Sequence, residues 1–166
     1  IYKLTVKKLV ALGGIAIEFE AQKVDFQNFG ALLRADMKID LPNYIKAYGS
    51  KDLKLNTVAD IVAYNEQDTL IRVPYGQGRF EGILEEKMNA EELARVKIKL
   101  KEEGMRFFEK PMVEHNLDVV LSVNNRNAGY AAAALYPCLT IPMGYRDSGE
   151  PAGLTFIGRQ FEEDKL

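Results

Sequence analysis

The chain has 166 residues, enough for one domain or one large piece of a bigger protein, and 47% of them are apolar, enough to build a core. Its 22 basic and 24 acidic residues leave a net charge of −2, so there is no basic excess to hold nucleic acid and no strongly acidic tail; no apolar run is long enough to span a bilayer. The lone cysteine, Cys138, has no partner for an internal disulfide, and Ile1 with no signal-like apolar stretch reads as a cut or processed start, so a cytoplasmic protein is expected.

Residues 2–12 read as a short helix with Leu4, Val6, Leu9, Val10 and Leu12 on its apolar side, stopped by Gly13-Gly14. The β-branched run 15–19 alternates weakly and predicts a strand. Asp25 is placed to cap a helix carrying Phe26, Phe29, Leu32, Leu33 and Met37 at helical spacing, which ends or bends before Pro42. After a polar link over 49–55, Thr57 and Asp60 form a Thr-x-x-Asp cap, and the helix behind it continues to about residue 70. The glycine-rich stretch 74–82 predicts a loop. Asn89, with Glu92 three residues on, caps the longest helix, whose buried stripe is Leu93, Val96, Leu100 and Phe107 and which runs to about Phe108.

Pro111 suits the first turn of a further short helix. The apolar run 118–123 predicts a buried strand, 124–127 a polar loop, and 131–135 a small-residue helix. Strands follow at 139–141 and 153–157, joined by a short turn that allows a hairpin. Strands separated by helices indicate an α/β sandwich, with a sheet of mixed strand order and residues 1–166 as one domain.

Most residues with apparent chemistry have plainer roles. Pro137, Pro142, Gly144, Gly153 and Gly158 suit strand ends, tight turns and close packing. Gly76-x-Gly78-x-x-x-Gly82 has the wrong spacing and context for a phosphate loop. His115, the single histidine, sits near a helix end with no Ser or Cys motif beside it, and Cys138 reads as a small core residue. Asp36/Asp40 and Glu162/Glu163 read as surface charge. Asn124, Asn125 and Asn127 admit two readings, a turn cluster that exploits the tolerance of Asn for left-handed backbone, or a pocket wall.

Three blocks, in order, resemble the amidase-signature pattern. The first is Lys38-Ile39-Asp40-Leu41-Pro42-Asn43-Tyr44-Ile45, similar to Lys-x-Asp-Leu-x-x-Tyr-Leu. The second is Asn56-Thr57-Val58-Ala59-Asp60-Ile61-Val62-Ala63-Tyr64-Asn65-Glu66, similar to Arg-Thr-Leu-Ala-Asp-Leu-Ile-Ala-Phe-Asn. The third is the alanine-rich run into Tyr136-Pro137-Cys138-Leu139-Thr140-Ile141-Pro142-Met143-Gly144-Tyr145, followed by Gly153-Leu154-Thr155-Phe156-Ile157-Gly158-Arg159. The blocks most resemble the peptide-amidase-like branch. The Pro-Tyr-Phe-Gly-Gln-Glu loop of that branch here reads Pro74-Tyr75-Gly76-Gln77-Gly78, without the phenylalanine and the glutamate.

The resemblance implies the C-terminal portion of an α/β/α amidase fold, and a parent protein that is a serine amidohydrolase without metal or organic cofactor. In that family a serine attacks the amide carbonyl, a second serine on a cis peptide relays protons, a lysine acts as base, and backbone N–H groups hold the oxyanion. Those groups belong to an N-terminal half that this chain does not carry. Ser50, Ser122 and Ser148 lie outside any glycine-rich serine cluster, so no catalytic residue is assigned here and the chain alone is expected to be inert.

The implied contribution is a pocket wall for a small amide or peptide-amide substrate. Its candidates are Asn125, Arg126, Asn127 and Tyr130, in the loop and turn that lead into the alanine-rich helix, with Tyr75 and Gln77. Glutamine-using relatives carry an acidic residue near the position of Asn125, which grips the substrate amino group; here it is a neutral amide. That neutrality and the balanced charge weigh against one alternative, the catalytic subunit of a tRNA-dependent amidotransferase. The other alternative is a stand-alone non-catalytic binding domain. If a missing half packs on this one, the chain by itself exposes apolar surface and is expected to self-associate, so a homo-oligomer is possible.

Overall fold

The computed structural model describes the whole chain, Ile1–Leu166. In chain order it has α1 (Tyr2–Ala11), α2 (Phe29–Tyr48), α3 (Val58–Glu66), α4 (Thr69–Arg72), α5 (Gly78–Glu85), α6 (Ala90–Glu114), β1 (Val120–Val123), α7 (Ala128–Ala134), β2 (Cys138–Tyr145) and β3 (Pro151–Ile157), then a 3₁₀ turn, Glu163–Lys165. These elements divide into two compact units, Ile1–Phe26 with Ile98–Leu166, and Gln27–Lys97. No helix is long and apolar enough to cross a membrane.

The first unit contains the sheet, in the order β1-β3-β2, with both pairings antiparallel. β2 and β3 form the hairpin that the short turn allowed. Helices together with a small antiparallel sheet bear out the α/β class. The core gathers Phe107, Phe108 and Met112 of α6, Val120, Ile157, Tyr136, and Ala131 and Ala134 of α7. The alanines are small because α6 and α7 approach closely. A Cβ on Gly104 would lie 2.6 Å from the Tyr130 carbonyl oxygen and 3.0 Å from the Ala134 nitrogen.

The second unit, Gln27–Lys97, packs α2, α3, α4 and α5 around Ala35, Val58, Val62, Ile83 and Leu93. The Thr57 cap is as expected: the Asp60 N–H donates to Thr57 Oγ1 at 3.1 Å, and the Thr57 N–H donates back to Asp60 Oδ2 at 2.9 Å. Asn89 and Glu92 exchange the same pair of bonds at 2.9 and 3.0 Å. In that stripe Leu93, Leu100 and Phe107 are buried and Val96 is half-buried.

Several expectations are corrected. The run 15–19 forms no strand; Ile15 is 90% exposed, and no neighbouring strand pairs with it. Asp25 does not cap α2. Its side chain pairs with Lys99 at 2.5 Å, its N–H donates to Glu103 at 2.9 Å, and the cap position falls to Asn28 in left-handed backbone. Helix α2 passes through Pro42, because a proline deletes a single bond, here to the carbonyl of the exposed Lys38. Pro111 likewise lies inside α6, which continues to Glu114 instead of restarting. The helix behind Thr57 stops at Glu66 and resumes as α4.

The stretch 74–82 is a loop only to Gln77, since Gly78–Glu85 is helical. β2 runs past Pro142 to Tyr145, with a bulge between Pro142 and Gly144, which an edge strand tolerates. Being on that edge, Cys138 is exposed and is not a core residue.

Candidate functional site

The loop ahead of α7 starts where β1 ends. Ser122, Thr155 and Thr140 stand opposite one another across the three strands, so their side chains share one face of the sheet. Thr155 is 2% exposed, yet its hydroxyl is fully used: it donates to the Asn124 carbonyl and lies 2.8 Å from Thr140 Oγ1. Since the Thr155 proton goes to Asn124, the Thr140 hydroxyl is the donor in the second bond. Ser122 Oγ, also buried, accepts the N–H of Asn127 at 3.3 Å.

Asn124 turns the chain out of the sheet with φ 52°, a left-handed conformation that asparagine adopts more readily than most residues. Of the two readings of the asparagine cluster, the turn holds for Asn124. Beyond it Asn125 and Arg126 are exposed, and neither side chain has a protein partner. Asn127 holds the N-cap position of α7 without a side-chain cap bond. Tyr130 is half-buried and lies flat on Phe107, with ring centroids 4.4 Å apart and planes at 10°, while Phe26 stands tilted 4.5 Å from it. Four of the sequence candidates, Asn125, Arg126, Asn127 and Tyr130, thus occupy one short segment whose two ends are fixed by the sheet and by aromatic stacking.

Tyr75 and Gln77 belong to the other unit. Tyr75 is completely exposed beside Gly76, whose φ is +80°. Gln77 occupies the N-cap position of α5, and its Oε1 accepts from Asn65 Nδ2 at 3.1 Å. That bond ties the end of the second sequence block to the loop behind it. The first block is explained in the same way: Lys38 Nζ donates to the carbonyls of Leu84 and Glu86 at 3.2 and 2.8 Å, satisfying the open C-terminal end of α5. Arg34 joins Glu86 at 3.1 Å. Burial pushes the Glu86 carboxyl up, but the N–H groups of Met88 and Lys87 and the Arg34 guanidinium outweigh it, so Glu86 lies below the ordinary carboxylate value.

Sequence reasoning missed the cluster around Tyr136. Its hydroxyl donates to Glu109 Oε1, and the other Glu109 oxygen sits 3.6 Å from Arg159 of the last block. Burial, and then the Glu109 carboxylate, raise the Tyr136 phenol well above its ordinary value. The Gly-Arg ending of that block was the available signal, although its partner lies 50 residues earlier.

Ser50 follows α2, Ser122 is inside β1, and Ser148 is in the turn between β2 and β3. No group of His, Cys, Asp and Glu side chains is arranged to hold a metal. The candidate loop presents amide and guanidinium hydrogen-bonding groups, with an aromatic ring at its base.

No family model matches the chain. A protein named as a probable amidase from Arabidopsis thaliana is 29% identical over 136 residues, 81% of this chain and 26% of its own length. The crystal structure of an amidase family protein from Bacillus anthracis matches 99% of this chain and 32% of its own, with a TM-score of 0.84 and 28% identity. The native peptide amidase from Stenotrophomonas maltophilia matches 99% and 37%, with a TM-score of 0.80; at 21% identity that match concerns the fold alone. The chain spans 26% to 37% of the length of these relatives. In sequence and in fold, the chain resembles part of an amidase family protein.

Proposed function

We propose that this chain is the C-terminal part of a serine amidohydrolase that cleaves carboxamide C–N bonds. The observation that carries the reading is the match of nearly the whole chain to an amidase family protein, at a TM-score of 0.84 and 28% identity. On this reading the nucleophilic serine, the relay serine and the lysine base belong to the rest of the protein, and this part supplies a wall of the substrate pocket. Asn125, Arg126, Asn127 and Tyr130 form that wall. The exposed guanidinium of Arg126 beside a neutral Asn125 disfavours a substrate ammonium group at this position. A small amide or a peptide amide without a free amino group at that end fits better.

The experiment is ammonia release from a panel of small amides and peptide amides, by the full-length protein and by residues 1–166 alone. Activity in the full-length protein only is the expected result. Activity in residues 1–166 alone would overturn the reading, since the chemistry would then have to come from residues assigned here to packing and turns.

A further inference from the structure

We propose that Asn124 is the positioning residue of the candidate loop. It fixes the direction in which Asn125 and Arg126 leave the sheet and so sets how tightly substrate is held; the second half of this inference rests on the pocket reading above. Three polar groups of Asn124 are bound to β3 alone. Its N–H donates to the Gly153 carbonyl at 2.8 Å, its side-chain Oδ1 accepts the Gly153 N–H at 2.7 Å, and its carbonyl accepts the Thr155 hydroxyl. Asn124 therefore continues the β1–β3 pairing for one step beyond β1, with its side chain standing in for a backbone carbonyl.

Two requirements meet at this one residue. The backbone must be left-handed, at φ 52°, and an acceptor must reach the Gly153 N–H. Glycine meets only the first, alanine meets neither, and aspartate and asparagine meet both. A Cβ on Gly153 would lie 2.8 Å from Thr140 Cγ2, so a side chain there would have to displace Thr140. The partner N–H is thus presented by a bare backbone that fits against the Asn124 amide. Asn125 and Arg126 have no side-chain anchor of their own; their placement follows from this clamp, from the Ser122–Asn127 bond and from two turn bonds, Arg126 N–H to the Val123 carbonyl at 3.3 Å and Ala128 N–H to the Asn125 carbonyl at 3.0 Å.

The test compares Asn124→Gly, Asn124→Asp and Asn124→Ala in the full-length protein, by amide hydrogen exchange and by steady-state kinetics on the best amide of the panel. Asn124→Gly is expected to speed exchange at residues 125–128 about tenfold while β1 and β3 amides stay protected, as follows from losing one part-buried hydrogen bond. KM is expected to rise by a similar factor with kcat little changed, the signature of lost binding that is equal in ground and transition states. Asn124→Asp keeps the acceptor and is expected to keep the loop protected. Asn124→Ala tests the two losses together and is expected to exceed the glycine variant.

Unchanged exchange at 125–128 in Asn124→Gly would overturn the positioning role whatever the kinetics. A loosened loop with unchanged KM would leave the clamp intact as structure and sink the pocket reading, and the substrate half of this inference with it. Uniform loss of protection across β1, β3 and the loop would show a residue that serves only global stability, and would also overturn the proposal.

Discussion

Gly104 of α6 faces the backbone of Tyr130 so directly that any Cβ there would stand 2.6 Å from the Tyr130 carbonyl oxygen. The two nearest atoms are backbone, the second being the Ala134 nitrogen at 3.0 Å, and the third is Ala134 Cβ at 3.3 Å, so no side-chain rotation makes room. Glycine normally weakens a helix by roughly 1 kcal/mol relative to alanine, so an unconstrained Gly104→Ala would stabilise α6. Here overpacking, typically about 1–3 kcal/mol, opposes that gain and exceeds it because backbone must move. A net loss of stability is expected, read as a lower urea midpoint. A midpoint equal to or above that of the original protein would show that α7 shifts away from α6 at no cost.

Tyr136 links pH to stability at the alkaline end. Its phenol is raised above the ordinary value of 10.0 in the folded state, by burial and then by the Glu109 carboxylate. A group raised on folding contributes fully below its unfolded value and loses that contribution as pH rises. Stability should therefore fall from about pH 10 upward, and Tyr136→Phe should remove this part of the slope. Urea midpoints of the two proteins between about pH 8 and 11 make the comparison. Parallel curves would mean that Tyr136 ionises in the folded protein as it does in the unfolded chain.

The Thr57–Asp60 capping box gives the opposite sign at the acid end. Asp60 is held below its ordinary value of 3.8 by the N–H of Asn56, the Thr57 side chain and the Thr57 N–H. Its contribution is present above that unfolded value and is lost as pH falls through the lower, folded one. Thr57→Ala should cost about 1 kcal/mol at neutral pH by leaving the cap open. Asp60→Asn should flatten the acid limb of the stability curve, and an unaltered limb would remove the box from the acid response.

Asn125→Asp, in the full-length protein, should shift preference toward amides that carry a free amino group. An exposed ion pair is worth at most about 1 kcal/mol, so the kcat/KM ratio of amino-bearing to blocked substrate should rise about two- to fivefold. A constant ratio would take Asn125 out of the pocket.

Residues 1–166 alone should self-associate. The edge strand β2 carries Leu139, Ile141 and Tyr145 with 41%, 38% and 73% of their surface exposed, next to unpaired backbone groups. Light scattering should give a mass above that of the monomer, and Ile141→Lys should lower it. A clean monomer would show that the bulge and Pro142 are enough to blunt this edge.

How much was legible depended on how local the determining contacts are. The caps at Thr57 and Asn89 and the stripe Leu93, Val96, Leu100 and Phe107 depend on residues a few positions apart, and the sequence carries them openly. The hairpin of β2 and β3 was legible for the same reason, since its turn is short. Proline was over-read: inside α2 and α6 it removes one hydrogen bond each, and the packing of a long helix outweighs that single loss.

The candidate loop was legible by position but not by mechanism. That Asn124, Asn125 and Asn127 form a turn or a wall follows from their side chains; that Asn124 alone is the clamp does not, because its partners Gly153 and Thr155 lie about thirty residues later. The run 15–19 has the pattern of a strand, but a strand exists only where another lends it hydrogen bonds, and none stands there.

By itself, then, the sequence determined the helices with local caps, the strand–turn–strand ending and the resemblance to amidases. Only the tertiary structure decided which runs find partners. It placed Cys138 on an open edge, Tyr136 against Glu109, and Gly104 against bare backbone, because hydrogen bonds and close packing between distant residues depend on where the chain returns and not on the order of its neighbours.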